Sequence, residues 1–150
     1  MTNLAAILSK PAADVKELPN IPAGTYRCII VGLPTPGQSS KKKTDYLEFT
    51  YKLLEAMDDV DPADIETFNS VVEGGLIGRT IKEKYYITEA SLIILKRMLE
   101  NASIESEGRT MEQMIDESPN AEIMVFINHE PTQDGQRTFA RVGRTAPVEG

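Results

Sequence analysis

The alternation of apolar and polar positions is cleanest in "DYLEFTYKLL", residues 45–54. Leu47, Phe49, Tyr51 and Leu53 fall on one side of a period-two pattern, and Tyr46, Glu48, Thr50 and Lys52 on the other. A period of two places successive side chains on opposite faces of a β-strand. Residues 79–87 repeat the pattern, with Ile81, Tyr85 and Ile87 on one face and Lys82, Lys84 and Tyr86 on the other. "GTYRCIIVGL" (24–33) is rich in β-branched residues and carries glycines that permit a bend, so it too reads as a strand. "AEIMVFINHE" (121–130) and "RTFARVGR" (137–144) read as a strand pair, and Asp134-Gly135 between them is a hairpin signal.

The period changes to that of a helix after Thr88, a candidate N-cap for a helix running to Asn101. Leu92, Leu95 and Leu99 supply a buried stripe, with Ile93 and Ile94 widening it. "TMEQ" (110–113) has the form of a capping box and starts a short second helix. "PTPGQSSKKKT" (34–44) reads as a loop by its Pro, Gly and Ser content, ending in three lysines. The acidic connection 55–78 also reads as loop, closing on the glycine-rich "EGGLIGR". Prolines 11, 19 and 22 break up residues 1–22, which read as an N-terminal arm. The domain then spans 23–147, followed by a short tail at 148–150.

Charge changes this picture. The 150 residues carry a formal net charge of -7, which by itself argues against a polyanionic partner. Yet residues 55–78 hold seven acidic side chains and no basic one, and residues 102–122 hold six acidic and one basic. Removing these blocks of -7 and -5 from the total of -7 leaves +5 on the rest of the chain. A mildly basic body therefore carries two acidic inserts. One cysteine, Cys28, and one histidine, His129, exclude an internal disulfide and a His/Cys zinc site. Cys28 is expected as a small buried hydrophobe and His129 as a loop-edge residue with no special role. No apolar run is long enough for a membrane span, and the N-terminus lacks the pattern of a signal peptide, so a cytoplasmic location is expected.

Catalytic patterns are missing. The sequence has no GxxxxGK, GxSxG or HExxH and no Cys–His pair, so no cofactor is expected and the chain reads as non-enzymatic. "DDVDPADIE" (58–66) invites a calcium loop, but counting from Asp59 the sixth position is Asp64 and the twelfth Ser70, where Gly and Glu are required. The acids lack the clustered carboxylates and lysine of a nuclease.

The element order is strand, strand, strand, helix, strand, strand. It predicts a mostly β protein with one main helix, arranged as a five-stranded OB-fold barrel (β-β-β-α-β-β) with an acidic insert and an N-terminal arm. An SH3-like barrel lacks the central helix, and a ferredoxin-like fold needs a helix between its first two strands. Residues 21–147, through "IPAGTYRCIIVG", "DYLEFTYKLLE", "GRTIKEKYYIT", "ASLIILKRML" and "AEIMVFINHEP…RTFARV", resemble the OB-fold single-stranded DNA-binding proteins of tailed bacteriophages. The resemblance implies binding of single-stranded DNA during phage replication or recombination, in the cytoplasm of an infected bacterium, with phage replication or recombination proteins as partners. Many such proteins carry an acidic C-terminal tail, whereas this chain ends "RVGRTAPVEG".

Single strands are held by cations that follow phosphates and by aromatic faces on which bases stack. Candidates for this work are Lys41, Lys42 and Lys43 in the first loop, Tyr46 and Lys52 on the second strand, and Lys82, Lys84 and Tyr86 on the third. Arg137, Phe139 and Arg141 after the last loop complete the set, with Arg144 a weaker addition. Leu47, Phe49, Tyr51 and Phe126 are assigned to the core. The competing reading is a non-enzymatic β-barrel adaptor or virion component that binds proteins through its acidic inserts. A homo-oligomer is compatible with either.

Overall fold

The computed structural model describes residues 19–148 together with Ala5, Leu8, Ser9 and Ala12. Residues 149–150 of the expected tail and most of the expected arm lie outside the described residues. Among the described residues from 19 onward, six strands and three helices follow in the order β1 (Gly24–Ile30), β2 (Thr35–Gln38), β3 (Asp45–Ala56), α1 (Pro62–Val71), β4 (Thr80–Tyr86), α2 (Leu92–Asn101), α3 (Met111–Asp116), β5 (Glu122–Pro131) and β6 (Thr138–Ala146). All ladders are antiparallel, and the strands form one sheet in the order β2-β3-β1-β5-β6 with β4 paired to β3. The protein is thus mostly β, with few helices. β6 comes alongside β4, where Arg141 reaches Glu83 at 3.7 Å, but no ladder joins the two among the described residues.

The alternation in β3 is realised as read: Phe49, Tyr51 and Leu53 are fully buried. They meet Tyr26, Cys28 and Ile30 of β1 and Ile123, Val125 and Ile127 of β5 in a single core. Burial raises the Cys28 thiol to about 12. The hydroxyls of Tyr51 and Tyr85 share one buried hydrogen bond of 2.6 Å, which lets two polar tips sit inside an apolar core. Phe126 departs from its expected core position. It lies on the opposite face of β5 from Val125 and Ile127, half-buried, with the Arg144 guanidinium 5.1 Å above its ring.

Several expected boundaries shift. β2 lies in the segment read as a loop; it pairs with β3 on the same edge as β1, since Gly37 and Tyr86 both pair with Tyr46 from opposite sides. Its Pro36 is tolerated because, among the described residues, β2 has no strand on its other edge. The acidic connection contains α1, which composition alone concealed. Asp61 is its N-cap, accepting from the Ala63 amide at 2.9 Å, and Pro62 follows at the first turn. Phe68 then anchors α1 to the core. Asp59 accepts from the amide and hydroxyl of Thr25 at 2.8 and 2.7 Å, tying the insert to β1 and holding its own carboxyl below the usual carboxylate range.

α2 begins four residues later than Thr88, with Ser91 at the N-cap position; the Thr88 hydroxyl instead accepts from the Ser91 amide in the turn before it. The buried stripe of α2 is Leu95, Met98 and Leu99, with Leu92 partly covered. Ile93 and Ile94 are 43% and 57% exposed, because the 100° step per residue carries them round to the solvent side. The capping box of α3 forms as expected, with both reciprocal Thr110–Gln113 bonds present. Residues 20–22, read as arm, are held to the domain. The Tyr26 hydroxyl donates to the Pro22 carbonyl at 2.6 Å, and the His129 Nε2–H donates to the Ile21 carbonyl at 2.8 Å. Among the described residues no helix is long and apolar enough to cross a membrane.

Candidate nucleic-acid interface

The register of β3 against β4 builds the site. Tyr46 pairs with Tyr86, Glu48 with Lys84, Thr50 with Lys82, and Lys52 with Thr80. These are the polar members of both alternations, so all eight side chains share the face away from the core. Tyr46 and Tyr86 meet edge to face with ring centroids 6.0 Å apart. The Lys84 ammonium lies 4.7 Å from the centre of the Tyr46 ring, a cation–π contact that holds a positive charge beside two aromatic surfaces.

Gly37, a residue to which the sequence pattern assigned nothing, makes this arrangement fit. A Cβ at position 37 would come within 2.4 Å of the Tyr46 ring, so the ring lies across β2 where only glycine leaves room. Tyr46 is therefore half-buried, with β2 beneath it and Lys84 over its ring, whereas Tyr86 is 41% exposed. Tyr86 is the better stacking surface of the two.

The β2–β3 hairpin carries the lysine loop. The Ser39 amide donates to the Thr44 carbonyl at 2.9 Å, the Ser39 hydroxyl accepts from the Thr44 amide at 2.9 Å, and Lys43 turns the chain at a φ of 52°. Lys41, Lys42 and Lys43 are all exposed at its tip. Lys41 and Lys42 border a hollow whose other side is Lys84, Tyr86, Thr88 and Ser91. Two segments far apart in sequence thus border one hollow. Lys52 and Lys82 continue the same face through the register, both exposed.

The residues of β6 behave differently. Arg141 is an ion-pair partner of Glu130 at 3.1 Å and of Glu83 at 3.7 Å, so its charge is largely committed within the protein. Glu83 was not distinguished in the sequence pattern; it sits on the core-facing side of β4 between Ile81 and Tyr85, and its side chain is only 17% exposed. Desolvation raises its carboxyl above the usual range despite the nearby Arg141. Arg137 and Phe139 border neither the hairpin hollow nor the groove beside β4, although Phe139 is exposed. No protein-family model matches this chain, and no curated protein matches it significantly.

Proposed function

We propose that this protein binds single-stranded DNA without sequence preference, as a non-enzymatic strand-coating protein on an OB-type barrel. The observation that carries the reading is the exposed β3–β4 face, where Tyr46 meets both Tyr86 and Lys84 and a lysine-tipped hairpin stands beside them. Such a surface combines base-stacking rings with phosphate-binding cations and offers no fixed donor pattern for reading base edges. The β1–β3, β3–β4, β1–β5 and β5–β6 pairings, with a helix between the third and fourth long strands, support the OB arrangement. OB folds bind single strands on their second and third strands and on the first connecting loop. Here those are β3, β4 and the lysine hairpin. A role in phage replication or recombination, beside proteins of those processes, follows from the resemblance of residues 21–147.

The test is fluorescence anisotropy of an end-labelled oligo-dT strand, titrated with protein at low and physiological salt beside a duplex of the same length. The label belongs on the DNA because the chain has no tryptophan. Expected is binding to the single strand in preference to the duplex, with log K falling by about 0.7 per phosphate contact for each unit of log salt. Lys82→Glu combined with Lys84→Glu should weaken binding to oligo-dT and mixed sequences alike. Absence of binding at both salt concentrations would discard the proposal in favour of the protein-binding adaptor.

A further inference from the structure

A groove of about 480 Å³ runs between β4, β6 and α2. It lies where β4 and β6 come together without a ladder, and it shares Lys84, Tyr86 and Ser91 with the hairpin hollow. The two depressions therefore adjoin at Lys84, Tyr86 and Ser91, one beside the lysine hairpin and the other along α2. We propose that this groove holds a second stretch of the bound single strand, with Arg97 of α2 as its phosphate contact. The inference rests on the proposed DNA-binding reading and extends its path away from the β3–β4 face.

Charge is the first argument. Lys84, Arg97, Arg141 and Arg144 border the groove against one acid, Glu83, which Arg141 already faces. Apart from the hairpin hollow, which has no acid, further hollows of this acidic protein are bordered by Glu55, Asp58 and Asp59, by Glu100, Glu105 and Glu107, or by Arg109 with Asp116 and Glu117. A polyanion is drawn to these two adjoining depressions, where cations outnumber acids. Arg97 is the cation best suited to meet it. It is exposed, and among the described residues it makes no ion pair, whereas Arg141 is held by Glu130 and Glu83.

Shape and polarity are the second argument. The groove has an apolar side in Met98 and Val142, which are buried, and in Ile94, which is 57% exposed. Tyr86 stands at the mouth it shares with the hairpin hollow. An apolar wall beside cations suits a base lying against the protein while its phosphate faces the charge. The volume falls within the roughly 300–1,000 Å³ of small-ligand sites, room for a nucleotide unit rather than for a protein element.

The experiment is a length series of labelled oligo-dT, from about 4 to about 16 nucleotides, the span of site sizes known for OB folds. It is run with the wild type, Arg97→Ala, Arg97→Glu and Lys82→Glu. Expected is that both Arg97 variants bind the shortest strands like the wild type but lose the affinity gained with length. Their salt slope on the longest strand should fall by about 0.7, the loss of one phosphate contact. Lys82→Glu should weaken every length. Arg97 variants that follow the wild type at all lengths, while the wild type itself binds, would overturn the second stretch and leave the β3–β4 site standing. Equal weakening at all lengths would place Arg97 in the first site and overturn the path along α2. A wild type that binds no length would overturn both.

Discussion

Gly37 and Tyr46 show how much of the candidate site depends on a side chain that is absent. The Tyr46 ring occupies the space a Cβ at position 37 would need, and the ring in turn carries the Lys84 ammonium and the edge contact to Tyr86. Gly37→Ala should therefore displace the ring at a stability cost of about 1–3 kcal/mol, the usual range for overpacking. The aromatic proton resonances of Tyr46 and Tyr86 should shift together, and oligo-dT affinity should fall. Unmoved resonances would show that the ring does not depend on the missing side chain. The tyrosines themselves were legible as members of a polar strand face. Their contact was not, because it needs the register of two strands separated by α1 and the acidic connection.

At the scale of elements, the β4–β6 seam is the place where the sheet departs from regular pairing. Glu83 occupies a core-facing position there, and burial costs its charged form more than Arg141 returns. A carboxyl whose folded pKa is raised favours folding only while it is protonated. Its contribution is present below the unfolded value and is lost as pH rises through the folded one. Glu83→Gln should therefore raise the unfolding midpoint at pH 7, and the gain should shrink as the pH is taken toward 4, where the wild-type carboxyl is also neutral. Arg141 keeps Glu130 as a partner in this variant. A lowered midpoint at pH 7 would instead make the Glu83–Arg141 pair a net brace between β4 and β6. The helix α1 offers a contrasting lesson. Its start was written in the sequence as Asp61-Pro62, an N-cap followed by a first-turn proline, but the acidic composition of 55–78 masked it.

At the scale of the whole molecule, the core depends on neutral tyrosines. Tyr26, Tyr51 and Tyr85 are all buried, and desolvation is the leading cause raising each hydroxyl above its ordinary value; burial also lifts the Cys28 thiol to about 12. In the unfolded chain these groups ionise near about 10 for tyrosine and about 8.5 for cysteine. Stability should therefore be fully present below that range and fall as pH rises beyond it, by up to about 1.4 kcal/mol per pH unit for each group. Urea unfolding at pH 8, 9.5 and 11 should show a progressively lower midpoint. A flat profile would mean that the buried hydroxyls find water or partners when they ionise.

The order of the long strands, the faces of β3 and β4, the capping box of α3 and the segregation of charge were all determined by the sequence, because each is a local rule of period, cap or composition. Tertiary structure alone decided the rest. It made a strand of Thr35–Gln38 by offering it the free edge of β3, turned Phe126 outward beneath Arg144, and drew Arg141 into ion pairs. It also set Arg97 and Lys84 around one groove, although nothing in the periodicity of α2 tied Arg97 to β4. The reason is physical. A local pattern says which side of an element meets the core, but which outward side chains become neighbours depends on register and on the packing of elements remote in the chain.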